Sequence, residues 1–285
     1  MKGIKRNIFT VFFALVLALS FTLMPATPAY ASAVTATGSG DWNSTTVNAP
    51  WPGGVVPAAT DTVVIPSPFT VTLQADTTIA GLTVDSGGKL AFGVNNINFT
   101  VNGDVSGAGQ IQPVGGVIIK LTGDWNFSGT YSNLFLNVYF TGSGDQTIPS
   151  TATATWRTMS NALKTSGTIF IGTTPTLTFS TQAQLYNGTG VSYNRAGDQL
   201  VLPVAYNNLT LAGSGNKTTT GVSLDGIFSM EGTATASAVP TYGSLAGLQY
   251  NTATARTASI EWVTPFAATG GVTIANTGTI TLDAA

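Results

Sequence analysis

The sequence predicts an all-β chain wound as a parallel β-helix, or β-solenoid, with about 20 residues per rung. Three observations carry this expectation. A turn rich in Gly and Asp keeps returning, in VDSGG at 84–88, VNGD at 101–104, LTGD at 121–124 and TGSGD at 141–145. Its interval is nearly constant, with 20 residues from Asp104 to Asp124 and 21 from Asp124 to Asp145. The segments between turns are short, rich in Val, Ile, Thr and Phe, and bounded by Gly, Asn, Asp or Pro, which is strand chemistry punctuated by turn chemistry.

Taken in order, the predicted strands are TVVIP at 62–66, TVTLQ at 70–74, GLTVD at 81–85, INFTVNG at 97–103, GVIIKLTG at 116–123 and FLNVYFTG at 135–142. TIFIG, LTFS, LVLPVAY, NLTLAG, VSLDGIFSM, SIEWV and GVTIANTGTITLD follow. Within INFTVNG the side chains of Ile97, Phe99 and Val101 share one face and those of Asn98, Thr100 and Asn102 the other, so one face of that strand is buried. Only TATATWRTMSNALKTSG at 151–167 reads as a short helix or coil. A second architecture, tandem antiparallel β-sandwich domains, shares the short strands and frequent turns. It does not require the fixed period.

The N-terminus reads as a secretory signal peptide over residues 1–31. Lys2, Lys5 and Arg6 precede an apolar run from Ile8 to Met24, and PATPAYASA supplies small residues for cleavage after Ala31 or Ala33. Residues 32–80 are expected to form an N-terminal cap with the leading strands, and residues 81–285 the solenoid repeats. The closing NTGTITLDAA carries no LPxTG-type sorting motif. The expectation is a chain released freely or a piece of a longer protein.

Composition narrows the function classes. Beyond residue 31 there remain seven of the ten basic groups and all twelve acidic ones, a net charge of −5. Lys89, Lys120, Arg157, Lys164, Arg195, Lys217 and Arg256 are scattered singly. Nucleic acid is therefore not an expected partner, since phosphate recognition needs clustered cations. Charged residues make up 8% of the chain, against about 25% in an average soluble domain, so solvation rests on Thr, Ser, Asn and Gln. No Cys is present, and an exported fold of this composition must be held by burial alone. No His is present either, which removes the commonest general base, the usual zinc ligand and every Ser-His or Cys-His nucleophile.

Longer echoes reinforce the repeat. VYFTGSGDQT at 138–147 matches the pattern of NLTLAGSGNKT at 208–218, and the GDWN of 40–43 returns at 123–126. With GSGDWN, WPGGVVPAATDTVVIP and YNNLTLAGSGNKT in view, the chain resembles the extracellular β-strand-repeat, adhesin-like proteins of bacteria. That resemblance implies export to the cell surface or matrix and a structural, adhesive or glycan-contacting role.

Two sets of residues are candidates for a site. Asp104, Asp124 and Asp145 fall on successive rungs. Each can cap a turn by accepting backbone N–H groups, and stacked carboxylates could instead hold calcium as a cofactor, although no EF-hand or G-G-x-G-x-D run is present. Trp42, Trp51, Trp125 and Trp156 could form platforms for sugar rings or fill the core and cap the end of the stack. The only glutamates are Glu231 and Glu261. Glu261 lies beside Trp262 in SIEWV, where strand alternation would turn the Glu outward and the Trp inward. Six N-x-S/T sequons, at Asn43, Asn98, Asn126, Asn187, Asn208 and Asn216, provide glycan acceptor positions.

No catalytic residue is assigned. The expected function is that of a secreted structural or adhesive surface protein, self-associating into fibres or contacting other surface proteins, without membrane insertion after signal cleavage. A carbohydrate-binding or polysaccharide-active β-helix module is the alternative.

Overall fold

The computed structural model describes residues 32–131, 135–177 and 185–282; residues 1–31, expected to be a signal peptide, lie outside them. The described chain is all-β, and its one helical turn is a 3₁₀ turn at Pro52–Gly54. Strands pair in parallel with strands one coil away. Parallel pairing between segments about 20 residues apart is the connectivity of a solenoid and is incompatible with antiparallel sandwiches.

The first half of the coil has three faces, each a five-stranded parallel sheet. One face stacks Ala33–Thr35, Thr62–Ile65, Gly81–Val84, Val105–Gly107 and Trp125–Phe127. The next stacks Gly40–Asp41, Thr70–Leu73, Lys89–Phe92, Gln110–Gln112 and Thr130–Tyr131. The third stacks Thr77–Ile79, Asn98–Val101, Val117–Leu121, Leu136–Phe140 and Thr158–Ser160. Further along, a nine-stranded sheet takes over, its main path running from Gln146–Ile148 through Thr168–Ile171, Leu185–Tyr193, Ala205–Leu211, Ile227–Met230 and Gly247–Tyr250 to Gly271–Ile274. The coil interval is elastic. It is 18 residues where Val191 pairs with Leu209 and 24 where Leu248 pairs with Val272, while the first coil takes 29 from Val34 to Val63. Ala33–Thr35 pairs with Thr62–Ile65, which in turn pairs with Gly81–Val84.

Alternation within strands decides what lies inside. Asn98–Val101 and Lys89–Phe92 each alternate between half-buried and buried positions. Because register is preserved from rung to rung, inward residues form columns: Phe99, Ile119, Val138 and Met159 stack on the third face, and Ile169, Val191, Leu209, Phe228 and Leu248 in the later sheet. All nine are 0–1% exposed. Each such side chain contributes about 1.5–3 kcal/mol. Repetition along the columns is what offsets chain entropy in the absence of disulfides.

Two glycines show how closely rungs approach. Gly123 has no room for a side chain, because a Cβ there would lie 2.2 Å from the Asp104 carboxylate of the preceding rung. Gly107 lies within a strand at a φ of +106°, with Val84's carbonyl oxygen 2.0 Å from where its Cβ would be. Packing between rungs thus requires the Gly before Asp124, and likewise Gly103 before Asp104, where a Cβ would lie 2.3 Å from the Ala80 carbonyl oxygen.

The segment 151–167 is coil and turn for most of its length, as expected, but also contributes two short strands. Thr155–Trp156 and Thr158–Ser160 are strands, and the second adds the last rung to the third face. Its Thr and Ser residues suit an extended backbone once Leu136–Phe140 presents a sheet edge to pair with.

A closed polar circuit lies inside the later coils. The Leu202 N–H donates to the Tyr193 hydroxyl at 3.2 Å, the two tyrosine hydroxyls are 2.9 Å apart, and Tyr206 donates to the Leu202 carbonyl at 2.9 Å. Every buried polar atom of the pair is thereby satisfied. Burial, only partly opposed by its hydrogen bonds, pushes the Tyr193 hydroxyl up to about 12, and Tyr206 is pushed well up by burial and by its neighbour.

Phe99→Ala should cost about 3–5 kcal/mol, because the ring touches both Trp42 and Phe92 inside the stack. Chemical denaturation that finds under 1 kcal/mol would contradict the column packing. The tyrosine pair sets a second expectation. The folded state keeps protons that the unfolded chain releases above pH ~10, so stability is full below that pH and is lost as pH rises toward about 12. Tyr193→Phe should lose less stability than the parent over that window. Equal losses in pH-dependent denaturation would show that the pair is not the titrating element.

Candidate functional site

The three predicted aspartates do stack, and each acts on the next rung. Asp104 Oδ1 accepts the Asp124 N–H at 2.7 Å, Asp124 Oδ1 accepts the Thr147 N–H at 2.7 Å, and Asp145 Oδ1 accepts the Thr168 N–H at 2.8 Å. Asp76 caps Asn98 and Asp198 caps Asn216 in the same manner, and the Asn208 amide oxygen caps Ile227. A carboxylate at a corner meets the first backbone amide of the following rung, a donor that the ladder would otherwise leave over. Among the described residues no three His, Cys, Asp or Glu side chains converge to hold a metal ion.

The tryptophans correct the sugar-platform expectation. Trp42, Trp51, Trp125 and Trp156 are all 0–1% exposed. Trp42 and Trp51 meet edge to face at 4.9 Å near the N-terminal end of the stack, and Trp51 Nε1 donates to the Trp42 carbonyl. Trp125 and Trp156 meet the same way at 5.5 Å, with Trp125 Nε1 donating to the Thr153 carbonyl. An indole buries more apolar area than any other side chain. It fills the coil where Gly-rich corners leave room, so no ring face is offered to solvent.

Glu261 also reverses its expected orientation. SIEWV is a turn, closed by the Trp262 N–H to the Ser259 carbonyl, so strand alternation does not apply. Glu261 is fully buried and its Oε1 accepts from the Tyr250 hydroxyl at 3.0 Å and the Ser259 N–H at 3.1 Å, with Arg256 at 3.9 Å. Trp262 stacks on Tyr250 at 5.8 Å. Burial and the negative Glu261 push the Tyr242 and Tyr250 hydroxyls up beyond their ordinary range. Glu231 is likewise engaged, accepting from Ser229 and Asn251. The two glutamates thus serve the fold.

Sequence reasoning missed a device that spans three rungs and occurs twice. Gln146 donates through Nε2 to the Leu121 and Gly123 carbonyls of one neighbouring rung, while its Oε1 accepts from Lys164 Nζ of the other. Lys164 also donates to the Gly144 carbonyl. Gln199 and Lys217 repeat this, with Gln199 donating to Ile171 and Thr173 and Lys217 donating to Arg195, Gly197 and Gln199. In both copies 18 residues separate the Gln from its Lys. The signal was the shared Gly-Asp-Gln at 144–146 and 197–199, each followed at that interval by a Lys. Both lysines are nearly inaccessible, at 4% and 0%. Burial pushes their ammonium groups down, opposed by Asp145 and Asp198, and Arg195 adds to the lowering at Lys217.

Above this buried framework lies a surface groove of about 480 Å³, formed where three successive rungs turn the same corner. Pro149 and Gly172 lie along it, with the hydroxyls of Thr147 and Ser150, the amide of Asn194 and the guanidinium of Arg195. Asn194 and Arg195 are exposed, and Arg195 Nη1 donates to Thr174 Oγ1 at 3.1 Å. No acidic side chain lines the groove. A smaller one, of about 310 Å³, crosses another corner past Lys89, Gln110 and Thr130, which the sheet register places on consecutive rungs.

Asp124→Ala should remove one inter-rung cap and cost about 1 kcal/mol, with Asp124→Asn recovering most of it through the amide oxygen. Thermal unfolding in chelator and in calcium should give the same ranking. A ranking that inverts with calcium would replace the capping role with a metal-binding one.

Comparison with known proteins places one segment. Residues 50–112 match the family model of the G8 domain. They cover the loop carrying Trp51, the two coils over 62–101 and two strands of the next. Neither the curated proteins nor the solved structures contain a match to the chain. What the comparison supports is a G8-like segment within a longer β-solenoid.

Proposed function

We propose that the chain is a secreted structural or adhesive protein of the cell surface or extracellular matrix, whose working part is the side of the solenoid. The observation that carries this reading is the chemistry of the outward columns. Thr83, Ser106 and Asn126 succeed one another on one sheet, and Thr210 and Gln249 lie on another, to either side of the buried Ser229. Short hydroxyl and amide side chains in register solvate the surface with little charge, and Thr83 and Ser106 are hydrogen-bonded to one another at 2.8 Å. About ten turns at about 4.8 Å each give a rod roughly 50 Å long. A repeated ladder held without disulfides suits a protein that acts by presenting a surface.

The G8-like segment and the solenoid are compatible with that location. Partners under this reading are other surface proteins, further copies of the chain, or polysaccharide. A carbohydrate-binding module is the second reading, and the Arg195 groove is the observation in its favour.

Antibody raised against the purified protein should label intact, unpermeabilised cells or recover the protein from the culture medium. Detection confined to the lysed-cell fraction would overturn the extracellular reading.

A further inference from the structure

We propose that the corner groove around Arg195 binds an acidic polysaccharide, with the guanidinium pairing to a carboxylate or sulfate and the neighbouring hydroxyls and amide reading sugar hydroxyls. The inference deepens the adhesive reading and rests on it only for the setting in which such a ligand would be met.

Charge points to an anion. The mature chain is acidic, yet the groove is lined by Arg195 and by no carboxylate. The nearest acids on these corners are already engaged, Asp145 with the Thr168 amide and Asp198 with the Asn216 amide. Lys217 lies beneath, its ammonium donating to the Arg195 carbonyl at 2.6 Å. Arg195 uses Nη1 on Thr174. That bond orients the planar fork and leaves its remaining donors on an exposed side chain, the arrangement suited to bidentate recognition of an oxyanion.

Shape and lining point to a saccharide. The groove runs across rungs, at a corner and not along a strand at the edge of a sheet. An extended peptide there finds no strand edge to join. The lining offers instead the hydroxyls of Thr147 and Ser150 on one rung and, two rungs on, the amide of Asn194 beside Arg195. No aromatic ring lines it, so a neutral sugar gains no stacking platform and charge must supply the anchor. A single guanidinium gives weak binding per site. A repeating polyanion compensates by re-engagement along its length.

The test uses the full mature protein on immobilised polygalacturonate, dextran sulfate, neutral dextran and poly-glutamate, read by surface plasmon resonance at two salt concentrations. Binding to one or both acidic polysaccharides, weakened by salt and reduced about tenfold or more in Arg195→Gln, is expected. Arg195→Lys should recover only part of it, since the fork is lost. Arg195 is exposed, so unfolding of the variant is not expected, and an unchanged circular dichroism melt checks this. Absence of binding to both acidic polysaccharides, equal binding by Arg195→Gln, or equal capture by neutral dextran would overturn the proposal. Capture by poly-glutamate alone would overturn it in favour of an acidic peptide. None of these results bears on whether the protein is extracellular, which the antibody labelling decides separately.

Discussion

Everything in this molecule depends on the parallel backbone ladder between successive rungs. A parallel strand must pair on both sides or leave its polar groups to other partners. Coiling at about 20 residues per turn places each strand beside its counterpart, about 4.8 Å away. Register then decides the rest. A column position above Phe99 and Ile119 must be apolar, and a corner position above Asp104 must leave room for a carboxylate. The solenoid is in this sense a one-dimensional crystal in which each rung is the environment of the next.

Corners are where the ladder fails, and the chain repairs them with side chains. The aspartates do so on the outside, each accepting the first amide of the following rung. The Gln-Lys pairs do so on the inside, where carbonyls turn away from the strands. A lysine ammonium inside an otherwise apolar coil is costly. It is tolerated here because carbonyl oxygens and a glutamine oxygen surround it, as at Lys217. What the repairs leave outside are columns of hydroxyls and amides, and grooves where consecutive corners line up.

Much of this was legible in the residues. TVVIP, TVTLQ and GVIIKLTG contain strands at 62–65, 70–73 and 117–121, and the recurring Gly-Asp turn marks real corners. The aspartates were legible as caps because Gly-Asp at a strand start has few other uses. The tryptophans were not legible as a site, since an indole suits both a sugar platform and a core, and only the coil reveals its interior. Glu261 misled for a related reason. Alternation holds within a strand, and SIEWV is a turn in which Glu261 points inward to Tyr250 and Arg256.

By itself the sequence determined the all-β class, the coil period and the inward face of most strands, because these rest on local rules: period-two alternation, β-branched composition and the backbone needs of a turn. Tertiary structure alone decided which residues of different rungs meet. Gln146 and Lys164 are 18 residues apart, and the groove joins Thr147 to Arg195 across three rungs. The reason is geometric. A coil whose length varies from 18 to 29 residues brings positions together by stacking, and differences in corner length, invisible to any local pattern, choose the neighbour.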